Sequence, residues 1–364
     1  MSLTVEAVSG RLDRRRFYGV VGQVYRPYPC HRVTEGEIVR WLVEGRSLFC
    51  RHATVTPFLL KREGAVVGRF ALIHDRRLPD CVQVAFFEAL PGLDGVVDAI
   101  LHEARASHRS CPKIVFGLNG HLNYGCGYLV SRFDAVPVVG LPYTPPYYLA
   151  YFRGLKTREM VSYRFASEPF FRLRRAMEDR LRRGGLRTRL MDMHSLAREV
   201  EVYTRLNNLC FRNHPYWSHR TAAEDYELFH GYRRSLRNEN LIFAELDGEP
   251  VGFLLWYPDF NELVGPGREL GRAAALRYRL RNPIRTARLT EIAVRSDCRS
   301  AWAVAALKMR MAESLEERGY PFTEGGFIFT DNTPCMRSII AYLRRATGGE
   351  VQPYRRYCLF EGRL

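Results

Sequence analysis

The chain repeats itself, and that repeat constrains its fold more than any other feature. From Phe58 the sequence runs FLLKREGAVVGRFALIHD, and from Ile242 it runs IFAELDGEPVGFLLWYPD. Each copy is an apolar run, a charged turn containing Gly64 or Gly248, then Val67-Gly68 or Val251-Gly252 opening a second apolar run. Two apolar runs joined by a glycine turn predict a β-hairpin. Both copies continue in the same way. After the first come a strand at Val82–Leu90, a helix at Val96–Ala104 with Val97, Ile100, Leu101 and Ala104 at helical spacing, and a strand at Lys113–Gly117. After the second come a strand at Ala287–Val294, a helix reaching Glu317 with Val304, Leu307, Met311 and Leu315 as its apolar stripe, and a strand at Phe322–Phe329. The order hairpin, strand, helix, strand in both halves predicts an α/β fold: two tandem domains, each a mixed, mostly antiparallel sheet flanked by helices.

A length of 364 residues accommodates two cores. The repeat divides the chain into an N-terminal domain at 1–165, a linker helix within 166–189 and a C-terminal domain at 190–364. The linker, FFRLRRAMEDRLRRGG, reads as an amphipathic, solvated helix ended by Gly184-Gly185. The segment Asn261–Asn282 interrupts the second sheet and reads as a mobile loop or a substrate-facing insertion.

The formal charge is +16, with only four lysines (Lys61, Lys113, Lys156 and Lys308), so arginine carries nearly all of it. GC-rich coding produces that bias without selection for a partner. The resulting field still favours anionic ligands: coenzyme A phosphates, an acidic carrier protein, or RNA. RNA is the weaker expectation, because the arginines are dispersed and lack interleaved aromatic residues. The nine cysteines show no C-x-x-C and no zinc spacing, so reduced thiols and no metal are expected. With no apolar run of membrane-spanning length and no leader pattern at the N-terminus, the expected location is cytoplasmic.

The C-terminal stretch LTEIAVRSDCRSAWAVAALKMRMAESLEERGYPFTEGGFIFTDNTPCMRSII resembles the central region of the Gcn5-related N-acetyltransferase (GNAT) superfamily. The chain is similar to the double-domain bacterial members in two further segments. These are Gly117-Leu-Asn119-Gly-His-Leu-Asn123-Tyr-Gly-Cys-Gly127 and Leu141-Pro-Tyr143-Thr-Pro145-Pro146-Tyr147-Tyr148. The resemblance implies an acyl-thioester co-substrate, either acyl-CoA or acyl-phosphopantetheine on an acyl carrier protein. Backbone groups of Ile292, Ala293 and Val294 would pair with the pantetheine arm, as an added strand does. The turn and helix start at Cys298–Val304 (Arg299, Ser300, Ala301, Trp302, Ala303 and Val304), together with Asn332, would meet the phosphates. In this loop the arginine of the family pattern is kept, while Trp302 and Val304 stand where small residues belong. That departure brings a carrier-protein donor into play and gives Trp302 a role as a channel wall.

Glu291, at the start of the donor strand, is the expected general base. Tyr342 and Tyr357 are alternatives for the acid that protonates the leaving thiolate, and a strand-edge charge is the alternative for Glu291. Asn207, Asn213, His214 and Trp217, with Tyr216 and His219 nearby, are the expected acceptor pocket or else loop packing. The N-terminal half carries Glu88-Ala-Leu-Pro91-Gly92-Leu-Asp94 at the equivalent turn. Its acid would repel a diphosphate, so that half is expected to have lost donor binding. The function implied is N-acyl transfer to an amine of a small molecule, amino acid or peptide. The alternatives are aminoacyl transfer from tRNA and a non-catalytic GNAT-like binding protein.

Overall fold

The computed structural model describes residues 3–33, 36–182, 186–298 and 301–364. In the first half the elements are β1 (Leu3–Ala7), α1 (Gly10–Tyr25), α2 (Gly36–Val43), β2 (Ala53–Arg62), β3 (Ala65–Asp75), β4 (Cys81–Ala89), α3 (Val96–Ser107), β5 (Lys113–Phe116), β6 (Tyr128–Leu129), α4 (Tyr148–Tyr151) and β7 (Lys156–Ala166). Helix α5 (Glu168–Arg182) follows. The second half holds β8 (Leu186–Leu190), α6 (Leu196–Phe211), α7 (Ala222–Tyr232), β9 (Leu241–Leu246), β10 (Glu249–Pro258), α8 (Arg272–Arg281), β11 (Thr286–Val294), α9 (Ala301–Arg318), β12 (Phe322–Phe329), α10 (Thr333–Thr347) and β13 (Arg355–Arg363).

The two repeat segments form equivalent hairpins. Glu63 and Gly64 turn the first at φ of 54° and 78°, and Asp247 and Gly248 turn the second at 52° and 83°. Two consecutive positive φ values match the twist of the flanking strands, which explains the glycine in each turn. Four residues later in each copy, Gly68 and Gly252 lie against the next strand. A Cβ at Gly68 would come 2.8 Å from the Glu88 carbonyl oxygen, and one at Gly252 would come 2.8 Å from that of Ala293.

The sheet is continuous through both halves, in the order β1-β2-β3-β4-β5-β13-β7-β12-β11-β10-β9-β8, with β6 paired to β13. Chain order and sheet order differ in one respect. The last strand of each half crosses over: β7 pairs antiparallel with β12, and β13 pairs antiparallel with β5. The two exchanged strands then pair with each other at the centre. The segment expected as a linker contains α5, packed on α9, and also most of β8, which closes the second half's edge. The segment at 261–282, expected as a loop or insertion, carries α8.

Alternation along β10 sets the two faces of the second half. Phe253 and Leu255 pack with Val200 and Tyr203 of α6 and Phe229 of α7. Leu254 and Trp256 pack on the opposite face with Ala303, Leu307, Met311 and Leu315 of α9. The stripe of α9 is thus the expected one with Ala303 in place of Val304, which is only half-buried. The halves are also joined by polar groups. His52 lies between Asp75 (2.7 Å) and Glu224 (2.6 Å), and Arg77 reaches Glu224 at 3.0 Å. No helix among the described residues is long and apolar enough to cross a membrane.

Candidate active site

The site begins with a defect in β11. Leu255 is opposite Glu291, but Trp256 is opposite Leu289, so Thr290 is an extra residue and β11 bulges. A bulge bends its strand and ends regular pairing. The parallel ladder between β11 and β12 stops at Leu289 opposite Gly325. Beyond it the strands part, and among the described residues no strand or side chain is hydrogen-bonded to the β12-facing edge of Thr290–Val294.

A cavity of about 390 Å³ passes through this gap. On one face it is lined by Tyr203, Phe211, Phe229 and Leu236, and on the other by Met311, Leu315, Ile339, Tyr342 and Leu343. It also reaches Ile38, Leu122 and Asn123 of the first half, and Val264 and Leu270 of the segment before α8. Its lining residues Glu37, Tyr232 and Glu269 are exposed, which marks an opening between the halves. The walls are mostly apolar, and among the polar groups that line them Arg288, Thr290 and Glu291 stand on β11 at the gap.

Glu291 is the chief of these. Its carboxylate accepts hydrogen bonds from the Tyr203 hydroxyl (2.9 Å) and the Asn207 amide (2.8 Å). Burial outweighs both bonds and pushes its pKa up to about 7. A carboxylate so tuned is a far better proton acceptor than an exposed one, and it still ionises near neutrality. Arg288, buried on the cavity wall, donates to the Val139 carbonyl (2.6 Å), and burial lowers its pKa. Asn123 donates to the Tyr203 hydroxyl at 3.4 Å, so a side chain from the first half supports the group that holds the base.

Lys308 is the second polar anchor. It faces the cavity from α9, nine-tenths buried, with its ammonium 3.9 Å from the ring centre of Tyr342. Burial without an acidic partner lowers its pKa to about 8. Sequence reading missed it, although the signal was present: it is one of four lysines, and it lies four residues before Ala312 and three before Met311, on the buried side of α9. Tyr203 was missed for want of any local signal, since it lies 88 residues from Glu291.

The other expected residues divide into those on the cavity and those away from it. Ile292, Asn332, His214, Trp217 and Tyr342 line it. Asn332 caps α10, accepting from the Cys335 amide at 3.3 Å. His214 contacts the Pro215 carbonyl through Nδ1 at 2.8 Å and packs on Phe329. Ala293 and Val294 contribute backbone at the open edge while their side chains pack on the cores of opposite faces. Tyr342 packs at a tilt against Phe170, and burial raises its pKa, which makes it a weaker acid than Lys308. Tyr357 is buried in β13 with an unpartnered hydroxyl and is not on the cavity wall. Asn213 and His219 are exposed, and Tyr216 is bonded to Lys113 and Glu361 in the seam between the halves. Trp302 is half-exposed on the first turn of α9 and is not among the residues lining this cavity. Ala303 is buried in the core, while Arg299, Ser300 and the Ala301 side chain lie outside the described residues. Among the described residues no cluster of His, Cys, Asp and Glu has metal-binding geometry.

The first half has the same bulge and the same parting of strands. Arg69 faces Glu88 and Ala71 faces Ala85, so Phe86 and Phe87 share one partner, and the β4–β5 ladder ends at Val84 opposite Phe116. Here, however, side chains occupy the gap. The Phe86 amide donates to Asn119 (3.0 Å), the Ala89 amide to the Tyr148 hydroxyl (2.9 Å), and the Tyr147 hydroxyl to the Ala89 carbonyl (2.6 Å). Tyr151 bonds the Leu90 carbonyl. The Asn119 and Pro145-Pro146-Tyr147-Tyr148 segments thus satisfy the edge that stays open in the second half.

No model of a known protein family matches the sequence. Protein YghO of Escherichia coli K12 is 23% identical over 342 residues, covering 86% of this chain and 83% of that protein. A bacterial ceramide synthase of Caulobacter vibrioides is 26% identical over 239 residues, 59% of each chain. Among solved structures, a tandem GNAT protein from the clavulanic acid biosynthesis pathway superposes with a TM-score of 0.54 at 13% identity, over 100% of this chain and 98% of that one. With the exchanged strands, the paired bulges and this whole-length superposition, the chain has the tandem Gcn5-related N-acetyltransferase fold.

Proposed function

We propose that the protein is an N-acyltransferase that moves an acyl group from a coenzyme A or carrier-protein thioester to an amine bearing a hydrocarbon chain. The observation that carries this reading is Glu291, a base tuned to about 7, held at the bulge beside an open strand edge inside an apolar cavity. The relative named a bacterial ceramide synthase supports amide formation as the reaction class.

In this reading the amide-rich arm of the donor pairs with the free edge of Ile292–Val294, which puts the thioester carbonyl in the gap. A neutral amine attacks the carbonyl carbon, and a backbone N–H at the bulge holds the developing oxyanion. Glu291 takes the proton from the nitrogen of the tetrahedral intermediate. Collapse forms the amide and breaks the carbon–sulfur bond, and the thiolate takes its proton from Lys308. Solvent then restores both groups. The two apolar arms, one on each face of the sheet, house one chain each and exclude water from the gap.

The test is amide formation followed by mass spectrometry. Acyl-CoA thioesters from two to sixteen carbons and acyl-carrier protein are offered with short- and long-chain amines, to the parent and to Glu291→Gln. The reading expects long-chain amides from the parent and almost none from the variant. No amide from any pair, with the thioester still bound, would make the fold a binding module instead.

A further inference from the structure

Helix α8 presents an unusual outward face. It is held by Tyr278, buried against Phe260, and by Arg279, which donates to the Arg234 carbonyl at 2.6 Å. Steps of about 100° per residue put Ala273, Leu276 and Leu280 side by side on the face opposite Tyr278. Leu276 is 58% exposed and Leu280 is 73% exposed. The same steps set Arg272 and Arg279 along one flank of this stripe and Arg277 and Arg281 along the other. All four are exposed, and none has an ion pair among the described residues. Arg233 and Arg234, on the segment to which α8 is bonded, are exposed as well.

The segment that leads into this helix borders the cavity opening. Val264, Glu269 and Leu270, in the segment leading into α8, line the cavity, as does Tyr232 beside Arg233. An apolar stripe between two rows of cations without carboxylate partners among the described residues suits one kind of surface. A bilayer takes the leucines below its headgroups while long arginine side chains reach up to anionic phosphates. RNA would match the arginines and leave the leucines without a partner. An acidic protein would need an apolar patch of its own flanked by two acidic rows.

We propose that α8 docks the protein on an anionic lipid bilayer, with the cavity opening beside the membrane surface. The docking stands on the helix face alone, and its use in delivering a long-chain amine rests on the N-acyltransferase reading.

The test uses the full-length protein and flotation with vesicles of phosphatidylcholine, with and without about 30% phosphatidylglycerol. The parent should float with the anionic vesicles, and less so as salt rises. Leu276→Ser/Leu280→Ser leaves the net charge unchanged and should weaken partitioning at least tenfold. Arg272→Gln/Arg277→Gln/Arg281→Gln should weaken it about a hundredfold. Circular dichroism and melting of each variant should match the parent, because none of these side chains packs in a core. A parent that does not float overturns the proposal. So does a leucine variant that floats like the parent, since binding would then be adsorption by net charge. Tight tRNA binding that competes with the vesicles and ignores the leucines would assign this face to nucleic acid instead. Turnover separates the two readings. The leucine variant should keep the parent's rate on a water-soluble short-chain amine and lose rate only on vesicle-embedded amine. Absence of turnover on both amines, with flotation intact, would reject the N-acyltransferase reading and leave the docking standing.

Discussion

The two halves start from the same backbone and end with opposite properties. Each has a hairpin turned on two positive φ values, a bulged strand beside it, and a parallel ladder that stops where the bulge begins. Each also has a carboxyl group near the bulge that burial lifts to about 7 and a tyrosine holds: Glu88 with Tyr148, Glu291 with Tyr203. The difference lies in what faces the gap. In the first half Asn119, Tyr147, Tyr148 and Tyr151 hydrogen-bond the strand edge, although Phe86, Phe87 and Glu88 border a cavity of their own. In the second half the edge facing the cavity has no such partner among the described residues. Buried backbone groups require partners. One half meets that requirement with its own side chains, and the other leaves the edge without a protein partner among the described residues.

Glu291→Gln breaks the comparison most sharply. Removing the base should lower kcat by about 10²- to 10⁴-fold with little change in donor affinity. The parent's kcat/KM should rise with pH through about 7, as the carboxyl ionises, and the variant should lack that limb. Stability should move the other way. The folded carboxyl titrates at about 7, above its ordinary 4.5, so the folded state binds more protons in that window and the parent loses stability as pH rises across it. The glutamine variant should be flat there and melt higher at pH 8, as thermal scans at pH 5 and 8 would show.

Tyr148→Phe probes the closed half. It strips the partner from the Ala89 amide and from Glu88, at a cost of about 1–3 kcal/mol in denaturant unfolding. Acyl transfer should stay within about twofold of the parent, and no second donor should bind, because Asn119, Tyr147 and Tyr151 still fill the gap. Binding of two donors per chain would show that the tyrosines are gatekeepers and not structure.

Lys308→Met sharpens the role of the open half's second polar group. Loss of the proton donor should reduce kcat by about tenfold, less than loss of the base because a thiolate leaves readily. The same change should raise the melting temperature at neutral pH. The folded ammonium titrates at about 8, below its unfolded 10.5, so between these values the unfolded state binds more protons. The parent therefore gains stability as pH rises from about 8 to 10.5, and the methionine variant should not. The smallest effect is expected from Trp302→Gly. Its indole is half-exposed and touches no cavity wall, so donor affinity should shift by no more than about 0.5 kcal/mol in calorimetry.

Much of this architecture was legible in the sequence, and what was not shares one physical cause. Hairpins, helices and the β11 strand carry their signals in local periodicity, and Glu291 lies within a strand whose position that periodicity sets. The crossing of β7 and β13 is invisible to such reading, because Phe322 opposite Ala166 and Phe360 opposite Phe116 are pairings between distant segments. Tyr203 meets Glu291, and Asn123 meets Tyr203, only through the packing of segments far apart in sequence. The Tyr147-Tyr148 segment was readable as a motif, but its work as a plug needs the edge of β4 beside it. Trp302 was readable as a departure from the loop pattern, but its half-exposed place on the first turn of α9 was not.

The central claim is that an acyl thioester binds as an added strand on the second half alone. Amide hydrogen exchange, followed by mass spectrometry with and without a saturating long-chain acyl-CoA, tests it most directly. The account predicts new protection across 290–294, with none across 86–90, where side chains already hold the edge. Protection at 86–90, or no change at 290–294 while the thioester is demonstrably bound, would contradict it.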